Sequence, residues 1–145
     1  MKSIAITAIH VGLFLVGLPL TSFAYDCFDS AAAYQGISAN VLRAIAIKEN
    51  SRCDATISRN TNGSVDVGCM QINSIHFKEL SAHGVLPNDL LDQCKNIYVG
   101  AWHYKKMIRK YGNTWYAVGA YHSETPGLRD AYAAGVYKIM LRYKL

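Results

Sequence analysis

Glu49 is the residue whose surroundings most invite chemistry. It closes an apolar stripe formed by Leu42, Ile45 and Ala46 at helical spacing, so its carboxyl faces the core side rather than open water. A carboxyl at the edge of an apolar face resists ionisation. Glycoside cleavage needs such a group, a carboxylic acid that keeps its proton near neutral pH and donates it to the leaving oxygen. A single glutamate at a helix end is ordinarily a solvated surface charge. Two later stretches set Glu49 apart, Gly68-Cys69-Met70-Gln71-Ile72-Asn73 and Gly119-Ala120-Tyr121-His122.

The elements that must position these residues are mostly helical. Apolar spacing predicts a short helix over 30–35, ended by Gly36, and a second from about Ser38 that carries Val41, Leu42, Ile45 and Ala46 inward and ends near Glu49. Residues 54–72 break that pattern. Asn60-Thr61-Asn62-Gly63-Ser64 is dense in turn formers, and Asn62-Gly63 adopts positive φ at low cost, so a small β-hairpin or irregular β-turn segment is expected here. Asn73-Ser74 reads as the cap of a helix running to about Ala82 and stopped by Gly84. After Pro87 and a short helical turn, residues 94–111 repeat apolar positions at Ile97, Ala101, Tyr104 and Ile108 up to Gly112. A short helix over 114–122 and a last one over 126–143, with Thr125 as cap and Pro126 at its first position, complete the chain. The expected fold class is mainly α (α+β), a helical domain with a small β-hairpin flanking a cleft.

Residues 1–24 read as a secretory signal peptide. Lys2 precedes an uncharged apolar run over 4–20, and Ser22-Phe23-Ala24 fits cleavage between small residues. A membrane anchor is the alternative, but His10 interrupts the run and a cleavage site ends it. The segment before Cys27 lacks the lead-in of a lipidated cysteine. Residues 25–145 suffice for one domain and are too few for two. No later stretch of about 18 apolar residues follows, so the mature chain is expected to carry no membrane span.

All four cysteines, Cys27, Cys53, Cys69 and Cys94, lie in the mature part, where an even number in an exported chain favours disulfides. Three pairings are open. Cys27 with Cys94 would tie the N-terminus to the domain, and Cys53 with Cys69 would clip the segment after Glu49; this pairing is favoured. Zinc is the competing use, but no Cys-x-x-Cys or Cys-x-x-His spacing occurs. The four histidines of the mature part are dispersed, and neither a metal nor a cofactor is expected. Removing Lys2 from 15 bases against 10 acids leaves a net charge of +4, suited to an anionic wall polymer or merely to solubility. Nucleic-acid binding is not expected, because no basic stripe or recognition motif accompanies that charge.

Taken together, Glu49, the stretch through Gln71 and the stretch through Tyr121 resemble the lysozyme-like soluble lytic transglycosylase family. Its hallmarks are a helix ending in Glu-Ser, then Gly-Leu-Met-Gln, then Ala-Tyr-Asn. The resemblance covers essentially the whole mature chain and is strongest to the small transglycosylases that accompany secretion systems, conjugation machinery and pili. It implies a lysozyme-like fold, peptidoglycan glycan strands as substrate, a periplasmic location and a monomer, with a secretion, conjugation or pilus apparatus as possible partner. It also implies that Glu49 is the catalytic acid/base, that Gln71 lines the sugar site with Met70 as its apolar neighbour, and that Tyr121 is a cleft tyrosine. Asn50, Cys69 and His122 stand where the family has Ser, Leu and Asn. Asn50 retains the ability to donate a hydrogen bond to substrate, Cys69 suits a bond to Cys53, and His122 is read as structural. The stretch Asn60-Thr61-Asn62-Gly63-Ser64-Val65-Asp66-Val67-Gly68 further resembles the hairpin of animal-type lysozymes, and the 17-residue interval from Glu49 to Asp66 matches too. That likeness implies Asp66 as a second catalytic carboxylate.

Overall fold

The computed structural model describes residues 26–145, so the leader expected over 1–24 lies outside the described residues. The helices are α1 (Cys27–Gln35), α2 (Ala39–Glu49), α3 (Phe77–Ala82), α4 (Gln93–Tyr111), α5 (Trp115–Ala120) and α6 (Pro126–Tyr143). Between α2 and α3 lies an antiparallel sheet of β1 (Ile57–Arg59), β2 (Val65–Val67) and β3 (Ile72–Asn73), in that order. The domain is thus mainly α with a small sheet, the class expected from the sequence.

Caps explain why the helices begin and end where they do. The Asp26 carboxylate accepts from the Phe28 N–H, the Ser38 hydroxyl from Val41 and the Asp92 carboxylate from Lys95, each satisfying an amide that a first turn leaves open. Gly36, at φ 60°, ends α1 in the left-handed conformation that glycine adopts without a Cβ clash. Thr125 starts α6 differently from the sequence expectation. Its side chain makes no cap bond, and its backbone carbonyl accepts from Arg129 N–H at 2.9 Å.

The hairpin has a third strand that the sequence reading lacked. Ser58 pairs with Asp66 across β1 and β2, and Asp66 pairs with Asn73 across β2 and β3. Asn73 does act as a cap, its side chain accepting from Ile75 at the 3₁₀ turn Ser74–His76 that leads into α3. The same residue is the last of β3.

The core gathers Leu42 and Ile45 from α2, Ile97 and Tyr104 from α4, Met70 before β3, and Val136 from α6, all essentially without solvent contact. Covalent ties fix the periphery to it. Cys27 bonds Cys94, joining α1 to α4, and Cys53 bonds Cys69, closing the loop between α2 and the sheet. This is the pairing favoured from the sequence.

A buried asparagine locks the sheet to the helices. Asn96, on α4 and fully buried, accepts from the Met70 N–H at 2.7 Å and donates to the carbonyls of Val67 and Leu90 at 2.8 and 2.9 Å. Gly68 makes room for it. A Cβ there would lie 2.3 Å from Asn96 Nδ2, and the φ of +79° is one that glycine tolerates best.

Candidate active site

A cleft of about 720 Å³ opens between the sheet and the helices, lined by Glu49, Asp66, Gln71, His103, Tyr121 and His122 among others. Glu49 is the last residue of α2, where the apolar face of that helix meets the cleft. Its Oε1 accepts a 2.5 Å hydrogen bond from the hydroxyl of Tyr132 on α6. Burial pushes the carboxyl up to about 7, opposed by the Tyr132 hydrogen bond, reinforced by the negative charge of Asp66 and opposed by Lys48. Near neutral pH the group therefore holds a proton for a large part of the time, as a general acid must.

Tyr132 is itself buried, and burial followed by the nearby Glu49 charge holds its phenol far above the ordinary tyrosine range. It therefore remains a donor across the working pH range. Its ring lies parallel to that of His122, 4.9 Å between centroids and 3° between planes.

Asp66 lies on β2 and is gripped from two sides. Asn73 Nδ2 donates to Oδ1 at 2.7 Å and Asn60 Nδ2 to Oδ2 at 2.8 Å. Both oxygens thus have amide donors, and both asparagines line the cleft beside it. The two carboxyl groups differ in setting. One is held by burial and a phenol, the other by two polar amides.

Gln71 reaches the cleft from a backbone at φ 47°, which an ordinary residue holds only where surrounding structure enforces it. Its Nε2 donates to the Gly68 carbonyl at 2.8 Å, leaving Oε1 without a partner among the described residues. Tyr121 lines the cleft with its ring, but its hydroxyl is spent inside the protein, donating to the Met70 carbonyl at 2.9 Å.

Residues 26–135 match the transglycosylase SLT domain. The chain belongs to that family. An Escherichia coli protein named X polypeptide is 42% identical over 123 residues, covering 80% of this chain and 73% of the relative. Invasion protein IagB of Salmonella typhimurium is 37% identical over 118 residues, 78% of this chain and 74% of its own. Protein IpgF of Shigella flexneri is 34% identical over 122 residues, with 81% and 80% covered.

Within this transglycosylase domain, Glu49, Asp66, Gln71 and Tyr121 meet at one cleft. Met70 and Asn50 do not. Met70 is fully buried beneath Tyr121, against Gly100, where a Cβ would meet its side chain at 2.6 Å. Asn50 turns to the loop after α2, donating to the Asp54 carboxylate at 2.8 Å and accepting from Arg52 N–H at 3.2 Å. Its amide is taken up in closing that loop, and the side chain lines a separate cavity with Asp26 and Tyr143. Neither residue lines the cleft.

The residues that sequence reasoning missed are Asn60, Asn73 and His103 in the cleft lining and Tyr132, which bonds Glu49 from α6. Tyr132 shares an inward helix face with Arg129 and Val136, a 3–4 spacing that signals burial but not its partner 83 positions away. His103 donates from Nε2 to the Tyr121 carbonyl, 3.1 Å away, and burial pushes its imidazole down to about 4. It is neutral at physiological pH.

A general acid works only while protonated, so with Glu49 in that role glycan cleavage is expected to fall about tenfold per pH unit well above 7. Tyr132→Phe removes the hydrogen bond that favours the charged form. The midpoint of the alkaline limb should then move upward, which a pH profile of kcat/KM would show; a midpoint unchanged from wild type would separate Tyr132 from Glu49's ionisation.

Proposed function

We propose that this protein is a peptidoglycan lytic transglycosylase that cleaves the β-1,4 bond between N-acetylmuramic acid and N-acetylglucosamine. The observation that carries this is the buried Glu49 carboxyl, poised near 7 and held by Tyr132 in a cleft large enough for sugar rings. Glu49 protonates the glycosidic oxygen as the C1–O bond breaks. The resulting carboxylate then takes the proton of the muramic acid 6-hydroxyl while its oxygen bonds C1. The product is a 1,6-anhydro sugar, and Glu49 is returned protonated.

Asp66 stabilises positive charge developing on the sugar during this step, its geometry fixed by Asn60 and Asn73. Asp66→Asn keeps the size and removes the charge. A loss of about 10–100-fold in kcat is expected; a wild-type rate would remove Asp66 from the mechanism. Gln71, through Oε1, binds a sugar hydroxyl.

Hydrolysis, as by a muramidase, is the second reading, and the two carboxyl groups on one cleft favour it. It differs only in having water attack C1. Mass spectrometry of digested peptidoglycan separates the two, since anhydro-muropeptides are lighter by one water than reducing-end products. Anhydro products are expected, and reducing ends alone would replace transglycosylation by hydrolysis.

The chain acts in the periplasm after removal of residues 1–24, an assignment supported by two formed disulfides and by a family that acts on the cell wall. It opens the wall locally for a secretion, conjugation or pilus apparatus. The likeness to a protein named for invasion supports that role. Among the described residues no helix is long and apolar enough to cross a membrane.

A further inference from the structure

Two aromatic pairs lie beside the cleft lining. Lys110 and Glu124 belong to that lining, and the Tyr111 hydroxyl donates to Glu124 at 2.6 Å. The Tyr111 ring lies 4.5 Å from that of Tyr116, which is held in turn under the Arg129 guanidinium at 3.7 Å. On the neighbouring position of α5, Trp115 meets Tyr137 of α6 edge to face at 5.3 Å.

Packing alone does not account for this cluster. Trp115 is 44% exposed and Tyr137 is 50% exposed, although aromatic side chains gain most from burial. Adjacent exposed aromatic rings mark a binding surface more often than isolated ones. Their chemistry suits a sugar chain, whose pyranose rings present C–H faces to an apolar plane and hydroxyls to the polar tip of Tyr or the indole N–H.

We propose that Trp115 and Tyr137, reached from the cleft across Tyr111 and Tyr116, form a second glycan-binding site. It holds the same peptidoglycan strand beyond the sugars that occupy the cleft. The proposal rests on the glycan-cleaving reading of that cleft. The link from the cleft lining through Glu124 to Tyr111 and Tyr116, with Trp115 next to Tyr116 on α5, is what selects a glycan over a protein partner.

Co-sedimentation with purified cell-wall sacculi, measured in a Glu49→Gln background, reads the second site without cleavage. Adding Trp115→Ala and Tyr137→Ala is expected to weaken retention about 5- to 20-fold. Trp115→Tyr with Tyr137→Phe keeps both rings and should restore most of it. In the cleavage-competent protein, the alanine pair should lose at least about fivefold more kcat/KM on long strands than on a tetrasaccharide. Undiminished retention of the alanine pair overturns the proposal, as does an equal loss on long and short substrates. Failure of the cleft reading looks different. The wild-type protein would then cleave neither substrate, and sedimentation would still decide the second site.

Discussion

Glu49→Gln is expected to reduce glycan cleavage by about 10³-fold or more, because it removes both the proton donor and the base that recovers the proton. Turbidity loss of purified cell walls measures it. The substitution keeps the side chain's size and lets Tyr132 go on donating to an oxygen at the same place. The same change should make the fold more stable at high pH. Glu49 binds its proton more tightly folded than unfolded, with a folded value of about 7 against 4.5. Between those values the folded form holds more protons, so stability falls as pH rises through the window and stays lowered above it. Relieving that cost, Glu49→Gln should gain about 2–3 kcal/mol at pH 8 and little below pH 4. Urea denaturation at the two pH values tests the pair. A variant that is inactive and also less stable at pH 8 would point to damage at the site rather than loss of an acid.

Asn96→Ala is expected to carry the largest stability loss, about 3–5 kcal/mol. It strands the Met70 N–H and the Val67 and Leu90 carbonyls inside the core. The consequence for activity follows from where those groups lie. Val67 adjoins Asp66, and Met70 adjoins Gln71 and holds the Tyr121 hydroxyl. Hydrogen exchange should show the sheet and the turn before β3 losing protection ahead of α6. A melting temperature within a degree or two of wild type would mean that Asn96 is not the lock.

The helices and the inward-facing carboxyl of Glu49 were legible because their signals are local. Leu42, Ile45, Ala46 and Glu49 define one face at a fixed spacing, and Ser38, Gly36 and Gly112 punctuate the helix ends with groups suited to caps. The disulfides followed from an even cysteine count and from the segments that each bond would tie down. Strand β3 was hidden because two residues, Ile72 and Asn73, are too few to show alternation, and Asn73 also had an evident use as a cap. Tyr132 was hidden for a different reason. A buried tyrosine on a helix looks like core, and its hydroxyl meets Glu49 only because α6 packs across α2. Met70 and Asn50 show the limit of motif transfer. Each occupies its place beside a cleft residue in sequence, but one turns into the core and the other into the loop after α2.

The pairing of Glu49 with Tyr132 under partial burial is the account's centre. Carbon-13 NMR of the Glu49 side-chain carboxyl, followed across pH 3–9, tests it most directly. The account predicts a titration midpoint near 7; a midpoint near 4.5, the value of an ordinary solvated glutamate, would contradict it.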